Sequence, residues 1–419
     1  MDVCEVDDVS LRLTDLPVEL LLHILQYLEV KFISEVLSQV SDIFRRIAAD
    51  DSTWRIRIQK RWPGQYPALP SQQPISWTSA CIDREEESKI WRKGAGTEVD
   101  GKGGDEPDVI GGSGADGMKM MTNSRSHYAG VDAVHVMKNV VVSGSRDRSI
   151  LLWPTSAEGM ELKPLAKYFD AHKGWVWSFC SQDDLLISGD WDSTMKFWTM
   201  SASGLTENRA GVRLKTAILT TDIHENRIVA GTFANKVVQL DAREENKQLS
   251  IYKSHSRPVL KVKITSERIL SISEDSTLVV YDRVAGKKMM RVELPRSHPS
   301  LEHPGPSFPL SMDLLDNMLY IGDSTGNLHL IDTTHDSFSL VETYKTGHSG
   351  RVTSVVCGYG SYITSSSDGT VRIHQPSRRM GLITELQVPE CGQVTSISYR
   401  NQILAAAGSN NTVSIWSRF

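Results

Sequence analysis

One frame of five residues repeats along most of this chain. In HKGWVWSFCSQDDLLISGDWDSTMKFW, His172 is followed at fixed intervals by Val176, Ser188, Asp192 and Trp198. The same intervals separate His127, Val131, Ser143, Asp147 and Trp153. They recur from His255 (Val259, Ser271, Asp275, Tyr281) and from His348 (Val352, Thr364, Asp368, His374). Unvaried spacing in four copies is an internal repeat, which constrains the fold more tightly than any local propensity. Within each copy, apolar runs such as LLIS and MKFW flank a short polar turn, the pattern of antiparallel strands.

Three degenerate copies fit the same frame. Ile218, Ala230, Ala234 and Leu240 form one, the segment Ile321 to Ile331 marks another, and Val394, Ala406, Asn410 and Trp416 form the last. The copies start at 127, 172, 214, 255, 305, 348 and 390, so they lie 41 to 50 residues apart. A unit of that length holds four short strands, and such units pack radially into a β-propeller. The expected fold class is mainly β, a seven-bladed propeller preceded by a small all-α unit. The widest gap holds the loop Pro295–Pro309, rich in Pro, Ser and His. The last copy closes its third strand at Trp416, so Met118–Arg125 is expected to pair beside Thr412–Trp416 as the fourth. That pairing would remove an exposed sheet edge.

His, Ser and Asp within one frame are also the residue types of a hydrolytic triad. A triad needs one nucleophile exposed beside an oxyanion hole. Here the set recurs copy after copy with a tryptophan, so it reads as bracing, and no catalytic residue is assigned. Five cysteines (Cys4, Cys81, Cys180, Cys357, Cys391) lie far apart without a C-x-x-C, so neither a metal site nor a disulfide framework is expected. No cofactor is expected. Net charge is −5 with no basic tract, which argues against a nucleic-acid partner. The apolar stretch Leu20–Leu28 is interrupted by His23 and Gln26 and is too short to span a bilayer. With no basic and apolar leader at the N-terminus, an intracellular location, cytoplasmic or nuclear, is expected.

The N-terminal segment has helical spacing instead. Leu16, Leu20, Ile24 and Leu28 recur at three to four residues, with Leu21 and Leu25 beside them. Asp15 is placed to cap that helix, and Pro17 and Glu19 suit its first turn. Further helices are expected over Phe32–Leu37, Ile43–Ala49 and Asp51–Trp62. A unit this small is marginal on its own core, and an exposed apolar face on it would want a partner. One more helix is expected within Pro74–Lys93, with the acidic run Arg84–Glu87 on its solvated face. Seven glycines between Gly101 and Gly117 mark a flexible linker. The resulting division is a helical domain over 11–62, a helical linker over 63–93, a Gly-rich acidic linker over 94–117 and the propeller over 118–419.

The segment LTDLPVELLLHILQYLEVKFISEVLSQVSDIFRRIAADDSTWRIRIQKRW resembles an F-box. The match lies in the Leu16-Pro17-x-Glu19-Leu20 opening, the Ile24-Leu25-x-x-Leu28 continuation and Trp54. The blades resemble WD repeats, and the order of the parts is similar to that of the F-box/WD-repeat family over nearly the whole chain. The resemblance implies that Leu16, Pro17, Glu19, Leu20, Ile24, Leu25 and Leu28 contact a Skp-type adaptor, and through it cullin and RING subunits. It implies that His127, Ser143, Asp147 and Trp153, like His172, Ser188, Asp192 and Trp198, form buried hydrogen-bond chains.

In WD-repeat proteins the positions flanking the turn Asp, and those three and five residues after the His, face one rim. Those positions are Arg146 and Arg148; Trp175, Trp177 and Trp191; Phe233; Glu274; Phe308; and Arg351. Aromatic and arginine side chains on adjacent blades have the composition of a protein-binding hot spot. The implied function is substrate recognition within a cullin-RING ubiquitin ligase, with binding and positioning as the whole contribution. The alternative is a scaffold that assembles protein complexes without ubiquitin transfer.

Overall fold

The structure is a computed structural model that describes residues 13–61, 77–91, 118–156, 162–243, 248–295, 307–315, 317–334, 338–358, 360–375 and 381–418. Seven four-stranded antiparallel sheets follow one another from Lys119 to Ser417. Six of them run through the chain in order, each innermost strand first. The seventh combines the two ends of the propeller. Its outer strand, Lys119–Asn123, pairs with Val413–Ser417 in the register Lys119 to Ser417 and Asn123 to Val413. The ring is therefore closed by hydrogen bonds, and the edge that Val413–Ser417 would otherwise expose is covered.

Each second strand is buried on both faces, as in Val140–Ser145, Leu185–Asp190 and Met318–Asp323, because neighbouring blades cover it from both sides. The apolar clusters accordingly cross between blades. Cys180, Ile187, Met195 and Phe197 of blade two pack on Ile218, Ile228, Ala230 and Leu240 of blade three. At Gly189 a Cβ atom would stand 2.6 Å from Ile218 Cγ2, and at Gly144 a Cβ atom would stand 2.4 Å from Val176 Cγ1. Glycine at these points lets the next blade's first strand approach.

The N-terminal unit begins with a 3-10 turn, Leu13–Asp15, and continues as α1 (Val18–Leu25). Pro17, not Asp15, occupies the cap position, and its carbonyl accepts the Leu20 and Leu21 N–H groups. The region expected as one helix over Phe32–Leu37 is α2 (Val30–Phe32), a π-helical turn Ile33–Leu37 and α3 (Ser38–Val40). Ser41 then caps α4 (Asp42–Ala49), accepting the Phe44 N–H. With α5 (Asp51–Arg61), these helices enclose Leu21, Leu25, Ile33, Phe44, Ile47 and Trp54.

The last helix, α6 (Trp77–Trp91), corrects one expectation. Arg84–Glu87 is not a solvated face: Arg84 and Glu85 are buried. Glu85 accepts the Val30 N–H at 2.8 Å and pairs with the buried Arg57 at 2.7 Å. Glu86 accepts from Lys31 at 3.3 Å and from Gln402 at 2.8 Å, and Glu87 accepts from Ser361 at 2.9 Å. Ile90 and Trp91 enter the apolar cluster of blades six and seven. The acidic run thus fastens the helical unit to the propeller. The Gly-rich stretch over 94–117 lies outside the described residues.

Candidate functional site

Two backbone devices build the rim. In every blade, the N–H of the residue before the turn Asp position donates to a carbonyl at the entry of the first strand. The pairs include Arg146 with Gly130, Trp191 with Trp175, Phe233 with Ala217, Glu274 with Pro258 and Ser367 with Arg351, at 2.9–3.1 Å. Each first strand also carries a bulge one residue in, between Val131 and Ala133, between Val176 and Ser178, and likewise in the other five blades. A bulge leaves one residue unpaired and re-aims its side chain. The freed residues, Asp132, Trp177, Leu219, Leu260, Leu310 and Thr353 among them, line the mouth of the central channel.

On that scaffold the rings meet. Trp191 lies 5.8 Å from Trp175, 5.1 Å from Trp177 and 5.7 Å from Phe233, centroid to centroid. Trp175, Trp191 and Phe233 are 40%, 38% and 52% exposed, so the cluster presents apolar surface to solvent. Arg146 lies over Trp175 and Trp177 at 5.1 and 5.8 Å. It also holds Asp132 through Nε at 2.8 Å and Nη2 at 3.0 Å. Burial pushes the Asp132 carboxyl up, against the pull of that guanidinium.

Other predicted rim residues fall elsewhere. Arg148 is a correction: it has φ +70°, pairs with Asp170 at 2.8 Å and does not line the channel. The residue after the turn Asp position has positive φ in all seven blades, which turns it away from the residue before it. Glu274 and Arg351 both reach the channel mouth, Glu274 paired with Arg257 at 2.9 Å. Phe308 is half-buried and its N–H donates to Ser324 Oγ.

The internal chains have the geometry of bracing. Trp153 Nε1 donates to Ser143 Oγ at 2.7 Å, which lies 2.7 Å from His127 Nε2, and His127 Nδ1 lies 3.1 Å from Asp147. Ser143 and Ser188 are wholly buried and both already bonded, so neither hydroxyl can meet a substrate. In blade two the carboxylate partner is Asp190, not Asp192. His172 Nδ1 lies 3.0 Å from Asp190, and the Thr194 N–H donates to Asp190 at 2.6 Å. Asp190 stands where blade one has Ser145, and from the strand end it reaches both donors first. Asp192 is left exposed, 3.7 Å from Arg213. In blade six His374 replaces the tryptophan, its Nε2 lying 3.1 Å from Thr364 Oγ1. Burial holds that imidazole down to about 3.

On α1 the predicted adaptor residues divide by side. Leu20 and Ile24 are exposed at 50% and 38%, with Pro17 and Glu19 exposed beside them. Leu16 and Leu28 pack partly against the core. Leu25 is 5% exposed and belongs to that core, so it braces the helix and cannot touch a partner. Among the described residues, no helix is long and apolar enough to cross a membrane. No group of three metal-ligating side chains gathers among them either.

Comparison with known proteins adds to this geometry. Residues 13–59 match the F-box-like family, and residues 162–199, 338–375 and 381–417 match the WD domain, G-beta repeat. F-box/WD repeat-containing protein 9 of Homo sapiens is 32% identical over 373 residues, 87% of this chain and 74% of that protein. The chain belongs to the F-box/WD-repeat family. F-box/WD repeat-containing protein mec-15 of Caenorhabditis elegans is 26% identical over 80% of this chain and 78% of its own length. Among solved structures, the WD40 beta propeller domain of Doa1 superposes with a TM-score of 0.59 at 17% identity. It covers 72% of this chain and 96% of that one, a likeness of fold.

F-box/WD-repeat proteins are in general non-catalytic receptors, binding a Skp-type adaptor with the F-box and proteins with the propeller. Sequence reasoning missed Asp132, Leu219 and Leu260 at the mouth, although each occupies the frame position of Trp177. It also missed Lys261, for which the frame carries no cue.

Proposed function

We propose that this chain is the substrate-recognition subunit of an SCF-type, cullin-RING ubiquitin ligase. Two exposed surfaces on one braced chain support the reading: the apolar face of α1 and the aromatic rim of the propeller. Leu20 and Ile24, one turn apart with Pro17 and Glu19 at the helix start, would seat the Skp-type adaptor. Trp175, Trp177, Trp191, Phe233 and Arg146 would seat the substrate protein. The observation that carries most weight is the exposure of Leu20 and Ile24 on a helix whose other apolar face is already satisfied by Leu21 and Leu25.

The chemistry of ubiquitin transfer would belong to the other subunits. This chain would raise the effective concentration of substrate lysines near the conjugating enzyme, which needs fixed geometry rather than a reactive side chain. The α6 contacts to both units supply such a brace. Recovery of the tagged chain from cells should bring down adaptor and cullin. Leu20→Asp with Ile24→Asp should abolish that recovery and leave the propeller's melting unchanged. Retained adaptor would assign the contact to another face. Absence of adaptor and cullin from the wild-type recovery would replace the ligase reading with a scaffold for protein assembly.

A further inference from the structure

The central channel, about 840 Å³, is lined by the innermost strands of all seven blades. That volume suits insertion of a side chain or a short peptide segment. Its acidic groups are already engaged. Asp132 holds Arg146, Glu274 holds Arg257, Asp313 holds Lys263 at 2.9 Å, and Asp222 accepts the Ile264 N–H at 2.9 Å. His135 is bonded to Ser181 at 2.7 Å, and burial lowers it to about 4, so it is neutral.

Two lining groups remain, Lys261 and Arg351, and both are cationic. Neither side chain makes an ion pair or hydrogen bond among the described residues. Lys261 is half-buried in the channel wall, next to Leu260. Burial and the neighbouring Lys263 pull its ammonium down, while Asp222 and Asp313 pull it up. A half-buried ammonium on the channel wall, without a hydrogen-bonded acceptor among the described residues, is a ready partner for an incoming anion.

We propose that the channel mouth captures a partner protein through an aspartate or glutamate side chain seated on Lys261, with an adjoining apolar residue against Trp191 and Phe233. This rests on reading the rim as the substrate-binding surface. A single carboxylate fits better than a phosphate. Asp222 and Asp313 stand within electrostatic reach of Lys261 and would oppose a dianion, and Arg146 has both its forks committed to Asp132. A free small acid would leave the exposed rings in water, whereas a peptide covers them.

The probe is a phage-displayed library of random peptides, panned against the full chain. Wild type should enrich peptides with Asp or Glu beside a large apolar residue. Lys261→Met should keep the apolar preference and lose the acidic one, and Lys261→Arg should keep both. For an enriched synthetic peptide, Glu→Gln should weaken binding to wild type about tenfold and leave Lys261→Met unaffected. Enrichment without acid, or an unchanged preference in Lys261→Met, overturns the inference. So does a library that yields no peptide, or tighter binding when phosphoserine replaces the acid. Should Lys261→Met fail to fold, the Glu→Gln loss on wild type and its retention on Lys261→Arg decide the matter. The receptor reading fails on a separate readout, the recovery of adaptor and cullin with the wild-type chain.

Discussion

The Trp191 N–H donates to the Trp175 carbonyl at 2.9 Å, and the two indoles lie 5.8 Å apart. The same backbone bond recurs in all seven blades, so the placement of these rings is inherited from the repeat and not made by a special loop. What distinguishes blade two is only which side chains occupy those positions. The bulge at Trp177 brings a third ring to 5.1 Å from Trp191, which leaves Trp191 at the centre of the cluster.

Trp191→Ala should therefore damage binding far more than folding. Central aromatic residues of an interface commonly cost 2 kcal/mol or more on truncation, about thirtyfold in affinity. Trp191 touches three other rings yet is 38% exposed, so the melting temperature should shift little. Quantitative recovery of co-purifying proteins, with melting as control, checks both halves. Arg148→Ala should leave the recovered set unchanged, since Arg148 lies outside the channel.

Asp190→Ala should destabilise the propeller by about 3 kcal/mol, and Asp192→Ala by about 0.5 kcal/mol or less. Asp190 is wholly buried and anchors both His172 and the Thr194 N–H, so its removal orphans buried donors. Among the described residues, the Asp192 side chain makes only the solvent-facing contact to Arg213. Urea midpoints of the two variants against wild type test the assignment. Equal midpoints would return Asp192 to the network.

The number of blades and the closing strand are legible in the sequence because both depend on spacing and count. Which carboxylate braces blade two is not legible, because two aspartates stand two residues apart and the choice depends on strand geometry. The acidic run of α6 misleads for a related reason. Charge runs are normally solvated, and the partner that buries Glu85 is Arg57, on another helix and 28 residues away. At the rim, the frame positions are readable, but the bulge that turns Asp132 and Leu260 to the channel alters no residue type. Leu25 matches the family motif as well as Leu20 does, and only packing separates the buried leucine from the exposed one.

Stability should fall as the pH drops from about 6.5 toward 4. The His374 imidazole is held down to about 3 in the folded chain, since its Nδ1 is buried with no partner among the described residues. Between that value and the ordinary histidine range the unfolded chain binds the extra proton. Stability from this group is thus full above about 6.5 and declines at up to about 1.4 kcal/mol per pH unit below it. His374→Gln keeps a donor toward Thr364 and should flatten that slope while lowering stability at neutral pH. Urea midpoints measured across this range give the comparison. At still lower pH the depressed carboxyls of Asp147, Asp275 and Asp368 should add their own loss, because below about 4 the unfolded chain takes up protons that these carboxylates do not bind in the folded chain.

Glu85→Ala should be among the most damaging single changes in the helical unit, at about 3–5 kcal/mol. Arg57 and Glu85 are both 5% exposed, and losing the carboxylate strands a buried guanidinium. Arg57 also donates to the Leu25 carbonyl at 2.6 Å, so the pair fixes the C-terminal end of α1, the helix that carries Leu20 and Ile24. A second change, Arg57→Met, should recover part of the loss by removing the stranded charge. It should not recover all of it, because the Leu25 and Leu28 carbonyls then lose the guanidinium that donates to both. The checks are thermal melting and adaptor recovery measured side by side on the single and double variants. Adaptor recovery should fall in the single variant and return partly in the double. A Glu85→Ala chain that melts like wild type would show that the acidic run of α6 is dispensable to the brace.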